Sequence, residues 1–226
     1  MEDYSVKTAY ILKTCHAMVD GGHFVYSSGR HGDFYINKDA IYQHPKVVDD
    51  ISFMMADVAM TTYGTNFDFV VSPTYGGVIL GQLVAHCCAL NSGRDIMFAY
   101  SDKHAIGGHR ILRRGFSEAI QGKLALLVDD VVTTGNTLVQ MANAVIRAGG
   151  FVVGALVLCD RGKVRTLKVY PSDKEGLVST VPLELQIAPL VELDLQTFEA
   201  DACPLCKAGR PIDVDLGMGS ELNPFK

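Results

Sequence analysis

The stretch Leu124-Ala-Leu-Leu-Val-Asp-Asp-Val-Val-Thr-Thr-Gly-Asn-Thr-Leu138 decides the fold. Its apolar start predicts a strand through a hydrophobic core, with Asp129 and Asp130 at the carboxyl end, the edge at which open parallel sheets bind ligands. A tight loop then enters a helix, and its hydroxyls, backbone N–H groups and helix dipole suit a phosphate. This loop comprises Thr133, Thr134, Gly135, Asn136 and Thr137. The two acids would bind sugar hydroxyls or a divalent cation nearby. Locally, an ordinary strand–turn–helix with Asp130 as a cap remains an alternative.

Apolar runs and helical patterns alternate on both sides of this stretch. Strands apolar on both faces and separated by helices predict an α/β fold with a parallel sheet flanked by helices. Beyond Asp160, prolines that include Pro182, Pro189, Pro204 and Pro211 punctuate what we expect to be a less regular tail. We expect helices over 4–19, 45–63, 77–90 and 136–148, and strands over 67–72, 96–100, 123–129 and 151–158.

Composition excludes several classes of protein. The 226 residues are 48% hydrophobic, which is too apolar for a disordered chain, and the net charge of -5 argues against a general nucleic-acid binder. The longest stretch without a charged residue, 69–93, contains polar side chains and glycines and is not expected to cross a membrane. Six cysteines are too sparse for a disulfide scaffold, and no cleavable leader is expected, so we expect a cytoplasmic protein.

Two further segments suit polyphosphates. Thr74, Tyr75 and Gly76 follow a predicted strand and could present backbone donors to an anion, although a plain turn is the alternative. Residues 101–116 carry four basic residues, one acid and two histidines. They predict either a cationic lid that closes over a polyphosphate or a solvated charged hairpin.

The C-terminal region contains Cys203-Pro-Leu-Cys206. A single pair at this spacing is only half of a structural zinc site, and the sequence has no second such pair. Metal binding and redox activity are therefore minor expectations for these two cysteines.

The string 124–138 resembles the 5-phosphoribosyl-1-diphosphate (PRPP) motif of type I phosphoribosyltransferases. Residues 28–38 and Asp160-Arg161 are similar to segments of the orotate phosphoribosyltransferases within that family. The resemblance implies a small hood built from the N-terminal segment and the C-terminal tail, in one domain of residues 1–226. We expect the core at about 65–170 and the hood from about 1–64 and 171–226.

The resemblance also implies the following site residues. PRPP would contact Thr74, Tyr75, Gly76, Lys103, Asp129, Asp130 and the loop Thr133, Thr134, Gly135, Asn136 and Thr137. Orotate would contact Tyr35, Ile36, Thr133 and Arg161. Catalysis would rest on Lys103, His109, Asp129 and Asp130, and the two aspartates would hold Mg²⁺ directly or through water or ribose hydroxyls.

The expected activity is transfer of ribose 5-phosphate from PRPP to orotate, which gives orotidine 5′-monophosphate and pyrophosphate in pyrimidine biosynthesis. A homodimer with a shared lid, no nucleic-acid partner and no membrane partner are also expected. Two alternatives remain open: transfer to another base, such as a purine, and a non-catalytic regulator that senses PRPP or a nucleotide.

Overall fold

The computed structural model describes residues 4–26, 29–74, 76–104, 107–172, 178–193 and 195–219. The chain forms two compact units, one of Met1–Val6 and Val48–Leu193 and one of Lys7–Val47 and Asp194–Lys226. In the described ranges, no helix is both long and apolar enough to span a membrane. The helices are α1 (Ser5–Thr14), α2 (Lys38–Tyr42), α3 (Pro45–Tyr63), α4 (Val78–Ser92), α5 (Phe116–Ala119), α6 (Asn136–Arg147) and α7 (Pro204–Lys207). The strands are β1 (Met18–Val25), β2 (His31–Ile36), β3 (Phe69–Pro73), β4 (Met97–Lys103), β5 (Arg110–Leu112), β6 (Leu124–Val132), β7 (Phe151–Asp160), β8 (Thr166–Val169) and β9 (Leu183–Glu192).

The first unit is built on a seven-stranded sheet with the order β5-β4-β3-β6-β7-β9-β8. The five inner strands are parallel, and the edge strands β5 and β8 are antiparallel to their neighbours. Apolar side chains of β3, β6, β7 and α6 form one buried cluster. This architecture confirms the predicted α/β fold, because strands covered by helices are apolar on both faces.

The region after Asp160 is more regular than the sequence indicates. β9 pairs in parallel with β7, with Ala155 opposite Ile187 and Asp160 opposite Glu192. Pro189 lies inside β9 and has no backbone N–H to donate to a neighbouring strand. On the side of β9 that faces β8, pairing covers only residues 183–186. The absence of the Pro189 N–H therefore costs no hydrogen bond to β8. The sheet therefore tolerates a proline that the sequence pattern marks as a breaker.

The second unit contains the antiparallel pair β1 and β2, with a β-bulge between Asp20 and Phe24. The predicted N-terminal helix is shorter than expected, because α1 ends at Thr14 and His16 adopts a positive φ of 53°. The next residues enter β1, where Met18 pairs with Ile36 and Val19 with Tyr35. Strand pairing thus replaces the last turn of the predicted helix.

Candidate active site

The carboxyl ends of β3 and β6 define a crevice at which the strand order reverses. From β3 the chain continues to β4 on one side, whereas β6 lies on the other side and continues to β7. Register pairs Val71 with Leu127, so the end of β3 lies level with the acidic end of β6. Open α/β sheets bind ligands at such a switch point.

The acidic pair closes β6 and is largely buried. Asp129 is 5% exposed and Asp130 is 7% exposed. Asp129 Oδ1 accepts the Asp130 N–H at 2.9 Å, and Asp130 Oδ1 accepts the Val131 N–H at 2.6 Å. These bonds orient both side chains against their own backbone. The pair offers only oxygen donors, which are the ligands that Mg²⁺ prefers, so its chemistry fits that ion.

The two acids have different surroundings, because consecutive strand residues point to opposite sides of the strand. Burial lowers the pKa of the Arg110 guanidinium, and the negative charge of Asp129 raises it by a smaller amount. The charge of Asp130 acts instead on Cys159, whose pKa burial raises to about 12. The two carboxylates are therefore not equivalent.

The predicted phosphate loop joins β6 to α6. Gly135 caps the helix with a φ of 78°, a left-handed conformation that favours glycine. A Cβ there would also lie 2.4 Å from Leu167 Cδ1. Thr134 and Asn136 are exposed, and Thr133 and Thr137 are half-buried. A glycine cap offers no side chain to the first helical N–H groups, which leaves that end suited to an anion.

The loop after β3 is a tight turn fastened to β4. The backbone N–H and hydroxyl of Thr74 both donate to the carbonyl of Ser101, at 3.1 and 3.2 Å. Gly76 lies in the turn, and a Cβ on Gly77 would lie 2.6 Å from Pro73 Cδ. Tyr75 lies outside the described residues.

The basic segment forms a hairpin between β4 and β5. Lys103 pairs with Arg110, and the His104 N–H donates to the His109 carbonyl at 2.7 Å. The rings of His104 and His109 stack with centroids 4.8 Å apart. Lys103 and His109 are exposed on this hairpin. Ala105 and Ile106, in the predicted lid, lie outside the described residues.

Arg110 is not among the residues predicted from the sequence, and it is only 4% exposed. Its Nη1 donates to the Ser101 carbonyl at 2.9 Å, the same oxygen that accepts from Thr74. Its own carbonyl accepts from Arg147 of α6 at 2.7 Å. Arg110 thus connects the hairpin, the β3 loop and, through its charge, Asp129. Only its position next to His109 in a basic segment could have indicated it.

Arg161 lies beside the phosphate loop. Its N–H donates to the Val132 carbonyl at 2.9 Å, which joins the end of β7 to the end of β6. Asp160, fully buried, accepts the Gly162 N–H at 2.8 Å. A Cβ on Gly162 would lie 1.8 Å from the Thr133 carbonyl oxygen. Glycine is therefore required where these two loops meet.

The two remaining predicted orotate contacts, Tyr35 and Ile36, lie on β2 of the second unit. The Tyr35 ring is half-buried and packs against Phe24, with centroids 5.5 Å apart. Ile36 is 5% exposed and pairs with Met18 at the base of the hairpin.

The chain is a phosphoribosyltransferase by its similarity to known proteins. Residues 37–185 match the phosphoribosyl transferase domain. The Campylobacter lari orotate phosphoribosyltransferase is 30% identical over 199 residues, which cover 88% of this chain and 92% of that protein. A Thermoanaerobacter orotate phosphoribosyltransferase is 33% identical over 195 residues, covering 86% and 88%.

The chain belongs to the orotate phosphoribosyltransferase family. Its fold also resembles the crystal structure of the Aeropyrum pernix orotate phosphoribosyltransferase, with a TM-score of 0.58, 20% identity and coverage of 82% of this chain and 93% of that one. A Mycobacterium tuberculosis orotate phosphoribosyltransferase in complex with PRPP has a TM-score of 0.57, 21% identity and coverage of 85% and 97%.

Proposed function

We propose that the protein transfers the 5-phosphoribosyl group of PRPP to N1 of orotate. The N1–C1 bond forms, the bond from C1 to pyrophosphate breaks, and N1 gives up its proton, so that orotidine 5′-monophosphate and pyrophosphate result. The observation that carries this proposal is the junction of the acidic pair, the phosphate loop and Arg161. The backbone N–H of Arg161 donates to the carbonyl of Val132 at 2.9 Å, which joins Arg161 to the end of β6, directly before the phosphate loop.

PRPP would lie along the end of β6. Its 5-phosphate would accept hydrogen bonds from the glycine-capped start of α6 and from loop hydroxyls, because helix N-termini favour anions. Asp129 and Asp130 would accept hydrogen bonds from the ribose hydroxyls. The ribosyl-binding residues would be Asp129, Asp130, Thr133, Thr134, Gly135, Asn136 and Thr137.

The departing pyrophosphate requires positive charge, because breaking the bond at C1 leaves positive charge on the ribose and negative charge on the leaving group. Lys103 is exposed on the β4–β5 hairpin and can bring that charge, and the exposed His109 of the same hairpin would be a further contact. The turn of Thr74, Tyr75 and Gly76 would add backbone donors. Buried Arg110 would position the hairpin and the turn, since it bonds to the Ser101 carbonyl that they share.

Orotate carries a carboxylate, which a guanidinium can bind with two parallel hydrogen bonds. Arg161 would supply these bonds, with Thr133 beside it and Tyr35 and Ile36 as further contacts with the base. Arg161 lies on the loop in which Gly162 packs closely against the Thr133 carbonyl. The residues proposed to bind the phosphate and those proposed to bind the base would therefore be held in place by the same pair of loops.

Mg²⁺ is the proposed metal, with Asp129 and Asp130 as its candidate holders. When bound, it would neutralise part of the charge on the diphosphate. We also propose a homodimer in which the hairpin of one subunit serves the site of its partner.

A pyrophosphate-release assay tests the proposed reaction. The chain is incubated with PRPP, Mg²⁺ and one of five bases: orotate, uracil, adenine, hypoxanthine or xanthine. We expect turnover with orotate alone. Arg161→Ala should lower kcat/KM for orotate about 10- to 100-fold, the equivalent of the net loss of one charge-assisted hydrogen bond of about 1.5–3 kcal/mol.

Arg165→Ala is the matched control, because Arg165 follows the same strand but pairs with Glu192. It should leave kcat/KM for orotate unchanged. Turnover with a purine in place of orotate would refute the proposed base specificity, and absence of turnover with all five bases would refute the enzymatic function. Equal losses in the two arginine variants would refute a specific role of Arg161.

A further inference from the structure

Four side chains of the second unit converge on one point, and none of them is among the predicted substrate-binding residues. The ligand atoms of His23, His31, Cys203 and Cys206 all lie within 4.8 Å of one another. His23 Nε2 lies 3.0 Å from His31 Nδ1 and 3.6 Å from Cys206 Sγ. Cys206 Sγ lies 3.3 Å from His31 Nδ1, and Cys203 Sγ lies 3.7 Å from His23 Nε2.

Three of these four separations match the edges of a zinc tetrahedron, and the two nitrogens lie slightly closer together. Zinc bonds of about 2.0–2.1 Å to nitrogen and about 2.3 Å to sulfur imply ligand-to-ligand distances of about 3.3–3.8 Å. Cys206 Sγ lies within that range of both nitrogens, and Cys203 Sγ lies within it of His23 Nε2. A hydrogen bond between two imidazoles would explain the His23–His31 contact but not the convergence of both thiols on it.

A backbone carbonyl fixes the ring of His23. Its Nδ1 lies 2.8 Å from the Arg210 carbonyl oxygen, which can only accept a hydrogen bond. The proton of a neutral His23 therefore belongs on Nδ1, and the Nε2 lone pair faces the other three ligand atoms. Metal-bound histidines are oriented by such a second hydrogen bond.

The backbone supports both halves of the cluster. Val25 pairs with His31, and His23 lies two residues before Val25 on the same face of the hairpin. Cys203 directly precedes α7 and Cys206 lies within it. Reciprocal hydrogen bonds of 2.8 Å between His31 and Phe198 fasten the segment before the cysteines to β2.

The cluster is enclosed, as structural metal sites are. His23, His31 and Cys203 are buried, and Cys206 alone is exposed. Paired thiolates and imidazoles favour zinc over Mg²⁺ or Ca²⁺, which prefer oxygen. Four protein ligands leave no open position for a substrate, which distinguishes a structural from a catalytic site.

A metal site that links distant segments would stabilise the second unit. In its described residues the sheet has only two strands, and a two-stranded hairpin is marginally stable by itself. Small units commonly gain stability from a metal or a disulfide. The cluster joins residues 175 and 180 positions apart in the chain.

We propose that His23, His31, Cys203 and Cys206 bind one zinc ion in a closed structural site. The ion fastens the C-terminal segment to the β1–β2 hairpin and takes no part in the transfer reaction. The cysteine pair thus supplies half of the ligands, and two histidines from the hairpin supply the rest.

Elemental analysis of the full chain, prepared without a histidine tag in zinc-containing medium, tests this proposal. We expect one zinc per chain in the wild type and in Cys15→Ser, the control, whose thiol lies in the same unit outside the cluster. Cys203→Ser and Cys206→Ser should lose most of the zinc. A strong chelator should lower the melting temperature of the wild type and of the control, and leave that of the two variants nearly unchanged.

Exchange with Co²⁺ in the wild type does not depend on whether the variants fold. We expect the absorption bands of tetrahedral cobalt with thiolate-to-metal charge transfer. A wild-type chain without stoichiometric zinc and without this spectrum would overturn the proposal. An intact mass that shows a Cys203–Cys206 disulfide in freshly prepared protein would overturn it as well, since the thiolates would not then be available.

Discussion

Replacing Gly162 with alanine should damage the candidate active site more than the fold. The added Cβ would lie 1.8 Å from the carbonyl oxygen of Thr133, whereas real contacts of this kind do not fall below 3.0 Å. The two loops must therefore separate by about 1.2 Å, which is a displacement of backbone rather than of a flexible side chain. Misplacing substrate-binding groups by about 1 Å can cost about 100-fold in rate, or about 2.7 kcal/mol.

We expect Gly162→Ala to lower kcat/KM for orotate and PRPP about 100-fold in the pyrophosphate-release assay. Overpacking should also cost about 1–3 kcal/mol of unfolding free energy, which is about 2–4 °C in Tm per kcal/mol for a chain of this size. Gly154→Ala is the matched control. It lies in β7, the strand that precedes Gly162, and its Cβ would lie 2.2 Å from the Tyr63 ring instead of against a binding loop.

The control should lose a similar amount of stability and keep kcat/KM within a few-fold of wild type. If Gly162→Ala is folded and retains wild-type kcat/KM, the two loops are not coupled, and the proposed common support for phosphate and base is refuted. Equal losses of activity in both variants would show that general destabilisation is responsible.

Three further predictions concern stability and reactivity. Tyr63→Phe should cost about 1–2 kcal/mol in chemical denaturation, because the hydroxyl donates to the carbonyls of Ala155 at 2.7 Å and Gln186 at 3.2 Å; an unchanged midpoint would contradict this. Burial raises the pKa of the Cys159 thiol to about 12, so thiol reagents should leave Cys159 unmodified in the native protein at pH 8 and modify it only after unfolding. Burial also raises the pKa of Asp160, so its carboxylate lowers stability increasingly as pH rises through the folded pKa. The stability of Asp160→Asn relative to wild type should therefore increase between pH 4 and pH 7, and a difference independent of pH would exclude this cause.

The local patterns of the first unit were sufficient for much of its fold. The predicted helix over 45–63 has the bounds of α3, and the expected strand–loop–helix of 124–138 corresponds to β6 and α6. Each is strongly periodic or strongly apolar and begins or ends at a proline or glycine. β9 was missed because Pro189 suggests an irregular segment, whereas the register with β7 is a property of the assembled sheet.

In the candidate site, too, residues that are adjacent in the chain could be predicted, whereas those that only the assembled sheet brings together could not. Asp129, Asp130 and the loop after them are adjacent in the chain, so a motif captures them. Arg110 is one of several basic residues, and only the register of β4 with β5 reveals that it is buried. The roles of Lys103 and His109 stay predictions, since both are exposed side chains on a hairpin.

The proposed zinc site shows a further limit of prediction from the sequence. The spacing of Cys203 and Cys206 is visible in the sequence, but the spacing of His23 and His31 carries no recognised pattern. These histidines share a face because a bulged hairpin aligns Val25 with His31. Half of a binding site can therefore be recognised from a motif while the other half depends on strand register.

The second unit combines two segments that lie far apart in the sequence, and this affects when its parts can assemble during synthesis. The hairpin leaves the ribosome before its partners, which include Phe198 and Asp213 and follow the end of β2 by about 160–180 residues. At synthesis rates of about 5–20 residues per second, that interval is roughly 8–35 s. The β-sheet of the first unit can assemble during this wait, whereas the hairpin keeps two unpaired edges until these partners emerge. Newly made chains would thus be most vulnerable to aggregation and proteolysis at this hairpin during that interval.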